Sequence, residues 1–238
     1  MAKILLFRGL SEKDKLKAIE KLIKASTPRQ DFFLMITLSV LMASLGILIN
    51  NTAVVIGSML VAPILYPILS LSLGVVMANY RLINRSLKTI LKSFLIGVSS
   101  AALVSLLFSF SVDISPVLIY KVEPSFLYLA IALIAGLAVS FALVKPHLNE
   151  TLPGIAVSVT LIPPIATIGI ALSKLNWQTI TNSLIVFLVN IVGVIFATVV
   201  IFSLMKFYPK RKVAQEVIEK EQKEIEEIAN EQDYQSEF

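Results

Sequence analysis

AVVIGSMLVAPILYPILSLSLGVVMA, residues 53–78, is the stretch that decides the fold. It carries no charge, and at 1.5 Å per helical residue it is long enough to cross the ~30 Å hydrocarbon core of a bilayer. Two prolines, Pro63 and Pro67, sit where a membrane helix would run unbroken. Proline has no N–H and its ring clashes with the carbonyl four residues earlier, so each leaves backbone carbonyls unpaired. In hydrocarbon such groups cost several kcal/mol each unless protein or water satisfies them. The break is therefore expected to face the protein interior.

The rest of the chain has the same character. Of 238 residues, 56% are hydrophobic and only 16% charged, against roughly a quarter charged in soluble proteins. Mean hydropathy is +0.83. Six apolar segments of about spanning length can be marked: Phe32–Ile49, Ala53–Ala78, Ile90–Phe110, Phe126–Val144, Pro153–Ser173 and Ser183–Met205. With both termini cytoplasmic, 19 of the 21 Lys and Arg fall inside, leaving only Lys121 and Lys174 outside. A multi-pass protein of the cell (plasma) membrane is expected, its basic pI marking the cytoplasmic face rather than a nucleic-acid partner.

A self-comparison adds a repeat. An offset of 101 residues puts Leu60, Val61, Pro63 and Ile64 on Leu161, Ile162, Pro164 and Ile165. Both segments are second in a group of three spans, and both open on polar residues, Asn50, Asn51 and Thr52 in one and Asn149, Glu150 and Thr151 in the other. Three spans separate them, so they cross in opposite directions. The expected architecture is all-α and integral to the membrane: six transmembrane helices as two inverted three-helix repeats, 32–110 and 126–205, with the second and fifth helices broken at Pro. Paired Pro-interrupted segments of this kind point to a transport site near the bilayer middle. A basic amphipathic helix is expected in 1–31, lying on the membrane surface or packing on the membrane domain through Leu16, Ile19, Leu22 and Ile23. A charged tail, partly helical or disordered, is expected over 206–238.

NTAVVIGSMLVAPILYPILSLSL (51–73), LPGIAVSVTLIPPIATIGIAL (152–172) and LIVFLVNIVGV around Asn190 resemble a family of prokaryotic membrane proteins known as domain of unknown function 389. The resemblance runs over roughly 26–205 and implies a membrane module without an established activity. As architecture, two inverted halves with interrupted helices also look like the aquaporin and formate/nitrite channels, whose signature residues are absent here.

The candidate pathway or substrate-binding residues are Ser58, Pro63, Pro67, Thr160, Pro163, Pro164 and Asn190, with Asn50, Asn51, Thr52 and Asn149 at the two mouths. Each has a simpler reading. Asn190 can bond a neighbouring helix, Ser58 and Thr160 their own backbone, and the Asn residues can act as helix caps. Gly57, Gly74, Gly97, Gly136 and Gly193 read as close helix contacts. Without cysteine, thiolate metal sites are excluded, and with one histidine neither a His-based metal site nor catalytic residues nor a cofactor are expected. No Asp, Glu, Lys or Arg sits at the centre of a span, which disfavours a proton mechanism through a buried carboxylate. The expected function is transporter or channel for a small ion or polar solute, as a homo-oligomer in the lipid bilayer. The alternative is a non-transporting membrane scaffold or signalling protein.

Overall fold

The computed structural model describes residues 12–108, 124–145, 148, 160–207 and 211–236. Among the described residues every regular element is helical: α1 Glu12–Ala25, α2 Gln30–Leu48, α3 Thr52–Val61, α4 Leu65–Val76, α5 Tyr80–Phe108, α6 Phe126–Val144, α7 Ile162–Ser173, α8 Trp177–Leu204 and α9 Arg211–Ser236. Four of them (α2, α5, α6 and α8) are long and apolar enough to cross a membrane, and α3 with α4, bent by 49° at their junction, makes a fifth candidate. This is the build of a multi-pass all-α membrane protein.

Burial supports that build. Large apolar side chains such as Leu91, Leu95, Leu103, Ile134, Val192 and Phe196 point outward, while Ser39, Ser58, Ser93, Ser140, Thr167 and Asn190 are buried inside the bundle. A soluble helix bundle sorts its side chains the other way; apolar residues facing outward around a core with small hydroxylic residues fit lipid as the solvent.

Two expected span starts move. The segment expected from Ile90 is helical from Tyr80, and the one expected from Ser183 is helical from Trp177. The cause is local. Asn79 and Asn176 each accept a hydrogen bond from the backbone N–H three residues on, at 3.2 and 3.1 Å, so each helix begins at its cap rather than where the apolar run begins. At ~1.5 Å per residue, α5 and α8 are each over 40 Å long and project beyond a bilayer core.

Four helices end alike, in a Schellman turn whose left-handed residue is not glycine: Asn50, Ala78, Leu175 and Lys206, with φ of 52°, 50°, 54° and 58°. The following N–H reaches back five residues each time, as in Asn51 to the Gly46 carbonyl at 2.8 Å and Asn176 to the Ala171 carbonyl at 3.0 Å. An L side chain is penalised in this region. Leu175→Gly is therefore expected to stabilise the protein by roughly 0.5–1 kcal/mol, read as a higher thermal midpoint in detergent.

The apolar face of α1 is taken up by protein. Ala18, Ile19, Leu22 and Ile23 are buried, and α1 packs on α4, α6 and α9. Of the glycines expected at helix contacts, Gly57 is corrected: a Cβ there would meet nothing within 4 Å. Among the described residues the tightest approach is at Gly169, which is not one of the glycines expected at a contact.

Candidate functional site

The first break is built by three residues. Ala62 is extended (φ −77°, ψ 121°), as the residue before a proline is constrained to be, then Pro63 and Ile64 lead into α4. Pro63 has no N–H to offer the Met59 carbonyl, and the extended ψ of Ala62 turns the chain out of α3. Ser39 of α2 ties down the last turn before the break, its hydroxyl donating to the Ser58 carbonyl at 2.7 Å. Both serines are fully buried. The Ser58 hydroxyl donates within its own helix, to the Val55 carbonyl at 2.6 Å. Pro67 lies in the first turn of α4, where a missing N–H costs nothing. Ser39→Ala would remove this buried hydrogen bond and is expected to cost about 1 kcal/mol, measured as a lower unfolding midpoint.

Pro163 and Pro164 are likewise in the first turn of α7, so they start a helix rather than kink one. Residues 149–159, including Asn149, lie outside the described residues. Immediately before α7, Thr160 is left-handed at φ 41°, a region costly for a β-branched residue. Asn190 holds it there. The Asn190 amide donates to the Thr160 hydroxyl at 3.0 Å and to its carbonyl at 3.2 Å. Thr160 and Asn190, both expected at the site, are thus brought into contact, while the Ser58 carbonyl is met by Ser39, which no local pattern singles out. The positions expected at a mouth have structural roles here: Asn50 is the left-handed residue ending α2, and Asn51 caps α3 by accepting from the Val54 N–H at 3.2 Å.

Contacts at the helix crossings give direction. Gly74 on α4 faces Leu82 and Ile83 on α5 around a tight turn, so these two run antiparallel. Gly97 of α5 faces Ile165 of α7, Gly169 faces Val98 and Ala101, and Ser173 donates to Ser105 at 2.6 Å. Rising numbers meet rising numbers, so α5 and α7 are parallel. Hence α4 and α7 run in opposite directions. The same reasoning makes α6 parallel to α8, through Gly136 with Val194 and Ala197, Gly193 with Ala132, and Ser140 with Thr198 at 2.9 Å.

The structural register also differs from the offset of 101 read in the sequence. Helix α4 (Leu65–Val76) matches α7 (Ile162–Ser173) end for end, the left-handed Ala78 matches Leu175, the cap Asn79 matches Asn176, and α5 from Tyr80 matches α8 from Trp177. Every one of these pairs is 97 residues apart in number, as Tyr80 is from Trp177. Pro67, not Pro63, is then the counterpart of Pro164. The proline pairs misled the sequence alignment because a first-turn proline and a break proline look identical in a string.

At the end of the bundle where α2 and α5 begin, α9 docks through charge. Glu221, with only 2% of its side chain exposed, accepts from Arg29 at 3.0 Å and from the Thr27 hydroxyl at 3.2 Å. Arg85 of α5 donates to the same Thr27 hydroxyl. Arg29 also reaches Glu224 at 3.2 Å, and Arg81 reaches Glu219 at 2.9 Å. Among the described residues no His, Cys, Asp and Glu group able to hold a metal ion is found.

Comparison with known proteins places this arrangement. The family described as "Domain of unknown function (DUF389)" matches residues 59–196, from the end of α3 through most of α8. An uncharacterized protein of Methanocaldococcus jannaschii is 30% identical over 178 residues, which cover 75% of this chain and 55% of that protein. The chain thus spans about half the length of this relative. No solved structure matches it. With more than half its length inside the match, and the break at Pro63, α4, α5, α7, most of α8 and Asn190 within it, the chain belongs to the family of domain of unknown function 389.

Proposed function

We propose that this protein is a membrane transporter or channel for a small ion or polar solute, built as six spans in two inverted halves, with its site where the two interrupted segments meet. One observation carries the reading. The two twelve-residue helices α4 and α7 each begin at an irregular backbone segment inside the bundle and run from it in opposite directions. Irregular backbone at membrane depth is tolerated where it is buried in protein or lines a polar cavity, and half-helix ends are where transporters hold their substrates. The buried Ser39, Ser58 and Asn190, with the half-buried Thr160, supply hydrogen-bonding groups without a fixed charge around the two segments. Such a lining suits a neutral polar solute or an ion passed by dipoles rather than by a buried carboxylate.

In this reading the end bearing α1 and α9 is cytoplasmic, in keeping with the lysines and arginines gathered there. Copies of the chain would assemble through their apolar outer faces. The apolar cleft of about 430 Å³ between α6 and α8, lined by Phe126, Tyr128, Leu129, Leu188 and Val192, is one surface for a neighbouring chain or a lipid tail.

The test is reconstitution of the full chain into liposomes, with flux or swelling followed across monovalent cations, small anions and neutral solutes. Flux of one class above protein-free vesicles, reduced in Asn190→Leu, is the expected result. Vesicles as tight as controls to all three classes would leave the scaffold reading in its place.

A further inference from the structure

Most buried hydroxyls in this bundle donate to a carbonyl three or four residues earlier in their own helix, as Ser44, Ser58, Ser72, Thr89, Ser93, Ser140 and Thr167 do. Ser70, Ser86 and Ser183 are different. Each is at most 1% exposed, and each has a buried Oγ with no hydrogen-bond partner.

Their positions are not scattered. Ser86 is the seventh residue of α5 and Ser183 the seventh of α8, so they are equivalent in the 97-residue register set by the helix boundaries. Across the α4–α5 hairpin, Gly74 lies against Leu82 and Ile83, so Ser70, one turn further from the bend on α4, is level with Ser86, one turn further on α5. The same step across the α7–α8 hairpin sets Thr167 level with Ser183. The two hydroxyl pairs therefore sit at corresponding depths, and the opposite directions of α4 and α7 put them toward opposite ends of the bundle.

We propose that each pair is a binding site for a small neutral hydrogen-bonding molecule, water in the first instance. Serine hydroxyls both donate and accept, and a buried hydroxyl is satisfied by an occupant that does the same, which water does at polar, enclosed positions with at least two partners. No charged side chain belongs to either pair, so an ion gains nothing there over a neutral occupant until an introduced thiolate supplies a charge for a cation. On the reading of two inverted halves, these are the polar stations nearest each mouth. Ser93 and Asn190 follow two turns deeper on the same faces of α5 and α8, and Asn190 leads to Thr160.

The chain contains no cysteine, so Ser86→Cys and Ser183→Cys each introduce a lone thiol. Full-length variants reconstituted in vesicles are treated from one side or the other with silver ion, a thiol probe small enough for a water-sized site. Labelling is counted by mass after quenching. Ser86→Cys is expected to react from the side bearing α9 and Ser183→Cys from the opposite side, with Ile68→Cys, fully buried on α4, staying unlabelled as the dry control. Two inert thiols that react only after denaturation, or two that react from the same side, overturn the proposal. A second measurement does not depend on a reactive thiol. Ser86→Ala and Ser183→Ala lower the thermal midpoint if the hydroxyls hold water, and raise it if they are dry and unpaired. Sided labelling in vesicles that pass no solute would keep the hydrated sites and remove the transport reading; solute flux with both thiols inert would keep transport and remove these sites.

Discussion

Gly169→Ala is expected to destabilise the bundle by about 1–3 kcal/mol, the cost of overpacking, through one added methyl group. That methyl would stand 2.4 Å from the Cβ of Ala101, 2.5 Å from the carbonyl oxygen of Val98 and 2.9 Å from the backbone nitrogen of Ala102. Two of the three neighbours are backbone, and the third is a side chain with nowhere to rotate. The only relief is to separate α5 from α7. These helices are parallel over 97–105 and 165–173, and Ser173 bonds Ser105 two turns from the first contact, so a shift at Gly169 is felt along the whole pair. Gly57→Ala is the control. Nothing lies within 4 Å of its added methyl, and alanine is favoured over glycine in a helix by about 1 kcal/mol, so this variant is expected to hold or gain stability. Unfolding midpoints in detergent decide the matter, and equal midpoints for the two variants would remove α5–α7 contact as a source of stability. Because α7 starts at the Thr160 turn, Gly169→Ala should also lower solute flux if the proposed pathway runs there.

How much of this was legible in the sequence depends on which physical signal wrote it. Apolar runs mark lipid-facing helices directly, and Phe126–Val144 agrees residue for residue with α6. Where a helix projects past the bilayer the signal fades: Arg81, Arg85, Lys88 and Lys92 hide the first turns of α5, which are set instead by the Asn79 cap. Asn190 was visible because an amide in an apolar run is conspicuous. Ser39 was not, since serine is common in membrane helices and its task depends on which carbonyl lies opposite. Gly169 escaped for a related reason. Its neighbours belong to α5, more than sixty residues away in the chain, and no local pattern shows how closely two helices approach. The 97-residue correspondence of α4–α5 with α7–α8 was not legible, because capping and left-handed turns set it and neither follows from matching prolines.

Glu221→Ala is expected to release α9 from the bundle at a cost of about 2–3 kcal/mol, with the helix becoming open to limited proteolysis and amide exchange. Breaking a buried ion pair by removing one partner costs 3–5 kcal/mol when the survivor has no route to water. Glu221 itself is buried, but the Arg29 side chain is 43% exposed and can turn outward, which lowers the figure. Arg85 has no such freedom at its Nη1, which is already buried without a partner, so loss of the nearby carboxylate falls mainly there. Arg81→Ala tests the contrast. Its pairing with Glu219 joins two side chains that are each more than half exposed, and its loss should cost less than about 1 kcal/mol and leave α9 docked. Salt should separate the two contacts in the same way. The ~8 Å Debye length at physiological ionic strength screens the exposed Arg81–Glu219 pair, whereas the buried Glu221 carboxylate is reached far less. If added salt frees α9 as readily as Glu221→Ala does, the helix is held by its surface charges. If it stays bound, the grip lies at Glu221 and in the apolar contact of Ala214 and Ile218.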